Sequence, residues 1–123
     1  MVKLVSLMNR KPGMSMADFI EYYEKRHVPL ILRLLPFATD YRRNYAIEGP
    51  PYHTAHMAPG RSDLRAFDVM TELTFASTET FGNMVDALSD PDIGRVIAED
   101  EANFLDRTTS RSYLVEEHRS AQR

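Results

Sequence analysis

The order of apolar and polar positions near the start of the chain predicts a strand and then a capped helix. Residues Val2–Met8 are apolar enough on both faces to lie inside a sheet, and Pro12-Gly13 supplies the turn that ends the strand. Ser15 is suited to be the helix N-cap. Asp18 then occupies the third helical position, where its carboxylate reaches back to the cap and meets the positive end of the helix dipole.

One side of this helix carries an apolar stripe that includes a histidine. Its members recur at i, i+4 spacing and should face the core: Phe19, Tyr23, His27 and Ile31. The α conformation is unfavourable at Val28 because a proline follows. We therefore expect the helix to break or kink there, to restart with Pro29 at its first position and to end near Pro36. His27 should lie on the buried side, at a helix break.

The remaining periodic segments complete a βαββαβ order. Three have the period of strands: Tyr41–Ile47, Phe67–Phe75 and Thr108–Glu117. One helix is expected after a cap at Ser77 or Thr78, and another begins at Asp90-Pro91 and runs through Phe104. This order predicts an α+β, ferredoxin-like fold, in which two helices cover one face of a four-stranded antiparallel sheet.

The third predicted strand indicates what lies on each face of the sheet. Its apolar face should meet the helices, while the opposite face carries Asp68, Met70, Glu72 and Thr74. This mixture is too polar for a dry core and too apolar for a free surface. We expect that face to be a cavity wall closed by a second subunit.

Residues 49–65 are predicted to form a long loop, because they contain several prolines and glycines and no sustained period. Loops of more than about 12 residues are uncommon in compact domains and are often lids or binding loops. His53 and His56 favour a lid or pocket edge. The sequence otherwise predicts one domain over residues 1–118 and a frayed tail over 119–123.

Composition narrows the classes of function. The chain has 123 residues, of which 43% are hydrophobic, so it has room for one core. A net charge of −3 does not favour nucleic acid, which leaves small molecules or proteins as partners. The lack of cysteine excludes disulfides and thiolate chemistry and suits a cytoplasmic location. The apolar stretch at the N-terminus is too short for a signal peptide core or a membrane span.

No glycine-rich phosphate loop, nucleophile elbow or dinucleotide motif is present, so we expect chemistry without a cofactor. His27 is either a hydrogen-bonded core histidine or a pocket acid or base. Asp68 and Glu72 lie about 13 Å apart along a strand and would act separately. The alternative for each is an ion pair with Arg42, Arg43 or an arginine of a partner. His53-x-x-His56 is a weak metal pattern, and no metal is expected.

Four motifs carry a resemblance to a known family. They are Arg10-Lys11-Pro12-Gly13, Phe19-x-x-Tyr22-Tyr23-x-x-x-His27-x-Pro29-Leu30, Asp68-x-x-x-Glu72 and Asp100-Glu101-x-x-Phe104-x-Asp106. With these motifs the chain resembles the EthD family of dimeric α/β-barrel proteins. The resemblance implies a homodimer in which two sheets pack into a barrel, with a cavity in each subunit.

The resemblance also implies candidate roles for single residues. His27 corresponds to a pocket histidine, Tyr41 to a pocket tyrosine, and His53, or less surely His56, to a loop histidine of the methylmuconolactone isomerases, which are similar in layout. The cysteine of that group is Leu73 here, so a mechanism that needs the thiol is excluded. Tyr23 and Glu72 complete the expected substrate-binding set.

Three functions are consistent with these residues. The first is a cofactor-free decarboxylase, dehydratase or isomerase of a small aromatic or polyketide-like keto or hydroxy acid. His27 would be its acid or base, Asp68 or His53 would orient it, and Tyr41 would donate to an enolate. The second is a non-catalytic binding or accessory protein of a degradation pathway such as ether catabolism. The third, a cofactor-free oxygenase, is less favoured because the chain has no tryptophan.

Overall fold

Four antiparallel strands form one sheet, and the helices pack on one of its faces. The structure is a computed structural model that describes residues 1–47, 55–56 and 67–121. Its elements are β1 (Val2–Met8), α1 (Met16–Tyr22), a π-helical turn (Tyr23–His27), α2 (Val28–Leu34), β2 (Asp40–Tyr45), β3 (Val69–Phe75), α3 (Thr78–Leu88), α4 (Pro91–Glu101), a 3-10 turn (Arg107–Thr109) and β4 (Arg111–Val115). The sheet order β2-β3-β1-β4 confirms the predicted α+β ferredoxin-like fold.

The strand and helix ends differ from the predicted ones by a few residues. β2 ends at Tyr45, and the side chain of Ile47 is exposed. β4 begins only at Arg111, because Asp106 caps the 3-10 turn before it by accepting the Thr108 backbone N–H. Most of the loop predicted for residues 49–65 lies outside the described residues.

The predicted N-caps are confirmed. Ser15 accepts a hydrogen bond from the backbone N–H of Asp18 at 3.1 Å, and Ser77 accepts one from the N–H of Thr80 at 3.1 Å. Asp90 caps α4 by accepting two backbone N–H groups. Each cap satisfies donors that the first helical turn would otherwise leave without a partner.

The predicted loss of α conformation at Val28 is wrong, whereas the predicted restart is confirmed: α2 begins at Val28 with Pro29 in its first turn and ends at Leu34, close to Pro36. Val28 is helical, with φ −57° and ψ −49°, and its N–H bonds to the carbonyl of Tyr23. In an α-helix a proline ring would clash with the carbonyl four residues earlier. The π-helical turn before Pro29 is wider, with bonds that span five residues, so it accommodates the ring without ending the helix.

The same turn keeps one stripe of side chains directed at the sheet. Residues four apart in an α-helix are offset by about 40° around the axis, so a long i, i+4 stripe gradually turns away from its partner. A wider turn reduces that offset. All four members of the predicted stripe are buried: Phe19, Tyr23, His27 and Ile31.

Two apolar clusters form the core between the sheet and the helices. One contains Met8, Phe19, Tyr23, Val28, Val69, Phe104 and Leu105, and the other contains Ile31, Leu35, Phe75, Met84 and Ile97. Tyr41 packs against both. The predicted apolar face of β3 is confirmed, since Val69 and Phe75 are fully buried.

The opposite face of the sheet is not covered by helices. Strand pairing places Lys3 beside Thr74 and Val115, and Val5 between Glu72 and Tyr113. The mixture of polar and apolar groups expected from the sequence is therefore found on this open face. No helix among the described residues is long and apolar enough to cross a membrane.

Candidate functional site

His27 is paired with a carboxylate from the far end of the chain. It is the last residue of the π-helical turn, and its Nδ1 lies 2.7 Å from Oδ2 of Asp100, near the end of α4. The rings of Tyr23 and Phe104 lie against the imidazole, with centroids at 5.4 and 4.9 Å. When Asp100 is ionised it accepts a hydrogen bond from Nδ1–H, so the neutral imidazole keeps its lone pair on Nε2.

Asp100 is itself held in place by a second hydrogen bond. Its Oδ1 accepts the hydroxyl of Tyr22 at 2.7 Å, and the amide of Asn103 donates to the Tyr22 oxygen at 2.9 Å. Burial, followed by the bond to Asp100, raises the pKa of Tyr22, so this phenol remains a donor. Both carboxylate oxygens of Asp100 are thus engaged, and the ring of His27 has a fixed orientation.

The imidazole faces a cavity of about 170 Å³ between the sheet and the helices. Members of both core clusters line it, together with Leu4, Leu73 and Leu88. Its polar lining consists of Ser6, Tyr23, His27, Tyr41, Thr71 and Glu101. Among the described residues, His27 makes no hydrogen bond through Nε2, and no fully buried side-chain nitrogen or oxygen is without a partner. Nε2 is therefore accessible from the cavity.

Three hydroxyl groups form a chain along the cavity wall. Tyr41 donates to the oxygen of Tyr23 at 3.1 Å, and the Tyr23 oxygen lies 2.6 Å from Oγ1 of Thr71. Burial raises the pKa of both tyrosines, so they are protonated at neutral pH. Three hydroxyl protons serve two hydrogen bonds, and one proton is left for a ligand.

An ion pair beside this chain fixes β2 against the π-helical turn. Arg43 donates to both carboxylate oxygens of Glu24, at 2.6 and 2.9 Å, and the Tyr45 hydroxyl donates to the same group at 2.5 Å. The hydrogen bonds from Arg43 are the main reason that the pKa of Glu24 is lowered. The Arg43 guanidinium also lies over the ring of Tyr41, 4.8 Å from its centroid.

The structure does not bring Asp68 to the imidazole. Asp68 is buried just before β3, and its Oδ2 accepts the backbone N–H of Arg10 at 2.9 Å. The Arg10 side chain lies 4.0 Å from the same oxygen. The carboxylate that contacts His27 is that of Asp100, whereas Asp68 ties the end of β1 to the start of β3.

Glu72 lies on the open face of the sheet and thus on the other side from His27. Its partners are Lys3 at 2.7 Å and the amide of Asn44 at 2.9 Å. The bond from Lys3, with that from Asn44, lowers the pKa of Glu72. The ion pair that the sequence left open is therefore made with a lysine and not with Arg42 or Arg43.

Of the two loop histidines, the structure describes His56. His56 is exposed and is not among the cavity's described lining residues, and His53 lies outside the described residues. Within the described ranges, no group of three or more histidine, aspartate or glutamate residues could hold a metal ion. Of the predicted site residues, His27, Tyr23 and Tyr41 are brought together.

Sequence reasoning missed Asp100 and Thr71 as members of this site. Asp100 was visible only as part of the late Asp100-Glu101 motif, and no local pattern links it to His27. Thr71 was one position of an alternating strand, and its role depends on the neighbouring hydroxyl of Tyr23.

These features define a ferredoxin-like α+β domain with a cavity lined by a histidine that is paired with an aspartate. The chain belongs to the EthD family, because the family model for the EthD domain matches residues 11–108. No curated protein matches it.

Solved structures similar to this chain include members of the same family. An EthD family protein from Bacillus halodurans C-125 is 25% identical, with 96% of this chain and 99% of that chain covered and a TM-score of 0.60. An EthD-like protein from Ralstonia eutropha JMP134 is 23% identical over 93% and 87% of the two chains, with a TM-score of 0.55. A protein from Arabidopsis thaliana is 14% identical over 99% and 100%, with a TM-score of 0.59, and shows the fold alone.

Proposed function

We propose that this protein is a cofactor-free enzyme that moves a proton on a small aromatic or polyketide-like compound with a keto or hydroxyl group. Dehydration and isomerisation of such compounds both need this step. The observation that carries the proposal is the 2.7 Å pair between His27 and Asp100, with the imidazole facing a cavity. A base with a fixed tautomer beside a ligand-sized space is the arrangement that proton abstraction requires.

The mechanism follows from the atoms at the cavity wall. Nε2 of His27 takes a proton from the carbon next to a carbonyl group. The electron pair of the broken C–H bond forms a C=C bond, and the π pair of the carbonyl moves onto its oxygen. Asp100 stabilises the imidazolium that forms, as the carboxylate does in other histidine–aspartate pairs. The spare hydroxyl proton of the Tyr41–Tyr23–Thr71 chain makes a hydrogen bond to the enolate oxygen and stabilises its negative charge. Positioned proton transfer contributes roughly 10²–10⁴-fold in rate.

We further infer that the enzyme acts as a homodimer that buries the open face of the sheet. Tyr113 and Val115 are substantially exposed on that face, next to Val5 and the ion pairs of Lys3. A second copy would remove these apolar groups from water, which is favourable by about 25 cal/mol per Å². This is the assembly that the family resemblance implies.

A non-catalytic ligand carrier is the second candidate. The largely apolar lining of the cavity favours it, because such a lining binds hydrophobic compounds without any chemistry. The two functions differ in a single respect: a carrier returns its ligand unchanged, and an enzyme does not.

The test starts from a thermal-shift screen of the pure protein with aromatic keto acids, lactones and polyketide-like phenols, followed by NMR of each compound that raises the Tm. His27→Gln is compared with the wild type. His118→Gln is the matched control, because His118 also pairs with a carboxylate, Glu116, but is exposed. Turnover lost in His27→Gln and kept in His118→Gln supports the enzyme. Full turnover in both His27→Gln and His27→Ala rejects it, and binding with no turnover in the wild type favours the carrier.

A further inference from the structure

A second cavity adjoins the one at His27. It has a volume of about 190 Å³. We name it the outer cavity, because His27 lines only the first one, which we name the inner cavity. Five lining residues are common to both. The shared residues are Ile31, Leu35, Tyr41, Leu73 and Met84. The remainder of this outer cavity is formed by the end of α2 and the segment leading into β2, including Leu32, Ala38 and Asp40. The two spaces are therefore neighbours with part of their walls in common.

We propose that the two cavities bind one uncharged amphiphilic ligand, with its hydroxyl or carbonyl group beside His27 and its apolar chain in the outer cavity. This inference rests on the proposed function and adds the class of substrate. Tyr41 lies where the two parts of the ligand would meet: it lines both cavities, and its hydroxyl belongs to the hydrogen-bonded chain.

The volumes suit a ligand in two parts. In other proteins an apolar cavity of about 150 Å³ takes up a benzene molecule. Each cavity here, at about 170 and 190 Å³, is therefore large enough for a group of about six carbons. A single small ring would fill one cavity and leave the other unoccupied. An aromatic head with an alkyl chain would contact both.

The charges favour a neutral ligand over a carboxylic acid. The described lining of both cavities contains no lysine or arginine, and it includes the carboxylates of Glu101 and Asp40. The nearby Arg43 is already paired with Glu24, and Arg107 lies 3.4 Å from Glu101. An ionised carboxylate would lose its water and gain no free cation from the described lining, which is costly.

Asp100 would also compensate the charge of a protonated His27. Its protonated form would face Asp100 at 2.7 Å, so a ligand carboxylate would be a second anion at a site that already holds one. A phenol or ketone needs only a hydrogen bond, and both Nε2 and the hydroxyl chain can supply one.

Isothermal titration calorimetry with wild-type protein tests this directly. The probes are 4-alkylphenols with chains from ethyl to heptyl and 4-alkylbenzoates with the same chains, all at pH 7. Because a buried methylene contributes about 0.8 kcal/mol, each added carbon should tighten phenol binding about fourfold until the outer cavity is full. The benzoates should bind at least about tenfold more weakly.

A variant of the outer cavity sharpens the result. Ala38→Leu narrows that cavity alone, so it should weaken the long phenols about tenfold and leave the ethyl compound unchanged. Ala17→Leu, on the exposed side of α1, is the matched control and should change neither. The Tm of each variant shows whether it is folded. The comparisons of chain length and of phenols with benzoates use wild-type protein and do not depend on the folding of a variant.

Equal affinity for phenols and benzoates, affinity independent of chain length, or no binding by any phenol would overturn the inference. Turnover is not part of its readout. Phenols that bind with the expected chain-length dependence but return unchanged would support the inference and count against the proposed enzyme. If the enzyme turns over another compound in a reaction that needs His27, and phenol affinity does not depend on chain length, the proposed enzyme is supported and the inference about the ligand is rejected.

Discussion

Nδ1 of His27 and Oδ2 of Asp100 lie 2.7 Å apart, although the two residues are separated by 73 positions in the sequence. One closes the π-helical turn and the other lies in the last turn of α4. The orientation of the imidazole therefore depends on how α4 docks against the first helical segment. Any change that loosens α4 should also affect the cavity.

Asp100→Asn should allow both tautomers of His27. An amide can accept from Nδ1 or donate to it, and it does not stabilise an imidazolium as a carboxylate does. We expect turnover to fall about 10²-fold with little change in KM. The free energy of unfolding should fall by about 1.5–3 kcal/mol. Long-range ¹H–¹⁵N NMR of the imidazole should show Nδ1 protonated in the wild type and a mixture in the variant.

Asp86→Asn is the control for that experiment, because Asp86 is an exposed carboxylate near the end of α3. It should leave the His27 signals and turnover unchanged. Identical ¹⁵N shifts for His27 in Asp100→Asn and the wild type would contradict the assigned role of Asp100.

The pair formed by Tyr23 and Thr71 should show strong coupling in a double-mutant cycle. Tyr23→Phe leaves the hydroxyls of Thr71 and Tyr41 without this partner, and Thr71→Val leaves Tyr23 bonded to Tyr41 alone; each change costs about 1–3 kcal/mol. The double variant removes both groups and should lose less than the sum of the two, by about 1 kcal/mol. Urea unfolding monitored by circular dichroism measures all four proteins.

Tyr23→Phe combined with Ser89→Ala provides the control cycle. Ser89 follows α3 and bonds to the carbonyl of Val85, with no partner in common with Tyr23. These two changes should be additive. Additivity in the Tyr23 and Thr71 cycle as well would mean that the 2.6 Å contact has no energetic effect.

Glu24→Gln should make stability less dependent on acid pH. The pKa of Glu24 is lowered from its ordinary value of 4.5, chiefly by Arg43. A lowered carboxylate pKa stabilises the fold above about pH 4.5, and this contribution is lost as the pH falls through the pKa of the folded state. Glu24 is partly exposed, so we expect the difference from the wild type to be about 1 kcal/mol at pH 7 and to shrink below pH 4.5.

Chemical unfolding at a series of pH values between 7 and 3 would follow this difference. Glu21→Gln is the matched control on the same helix, where the pair with Lys25 is exposed and should contribute little. If wild type and Glu24→Gln differ in free energy of unfolding by the same amount at every pH, the ion pair does not contribute to the pH dependence of stability.

Tyr113→Lys should separate the proposed dimer. Tyr113 is 49% exposed on the open face of the sheet, and a lysine there would place a charge in the interface. Leu114→Lys is the matched control for Tyr113→Lys. Leu114 is 57% exposed on the same strand, but it lies on the helix-covered face of the sheet. Light scattering should give a dimer mass for the wild type and Leu114→Lys and a monomer mass for Tyr113→Lys. A monomeric wild type at micromolar concentration would reject the dimer.

The sequence predicted the elements that depend on local pattern. β1, β3 and the helix caps follow from alternation and capping chemistry, which act over a few residues. The predicted conformation of Val28 was wrong because the rule against α conformation before proline does not take account of a π-helical turn. Membership of the site was harder to predict: His27 and Tyr41 were recognisable, but Asp100 and Thr71 acquire their roles from contacts across the fold.

The π-helical turn also absorbs one residue without redirecting the helix that follows it. Five residues of this wider turn cover nearly the same rotation as four residues of α-helix, which is about 400°. Deleting one residue between Tyr23 and His27 would therefore restore regular α-helix and leave Ile31 and Leu35 on the wall that both cavities share. A change of chain length at this point would alter the part of the cavity wall that carries His27 and leave the part formed by α2 in place.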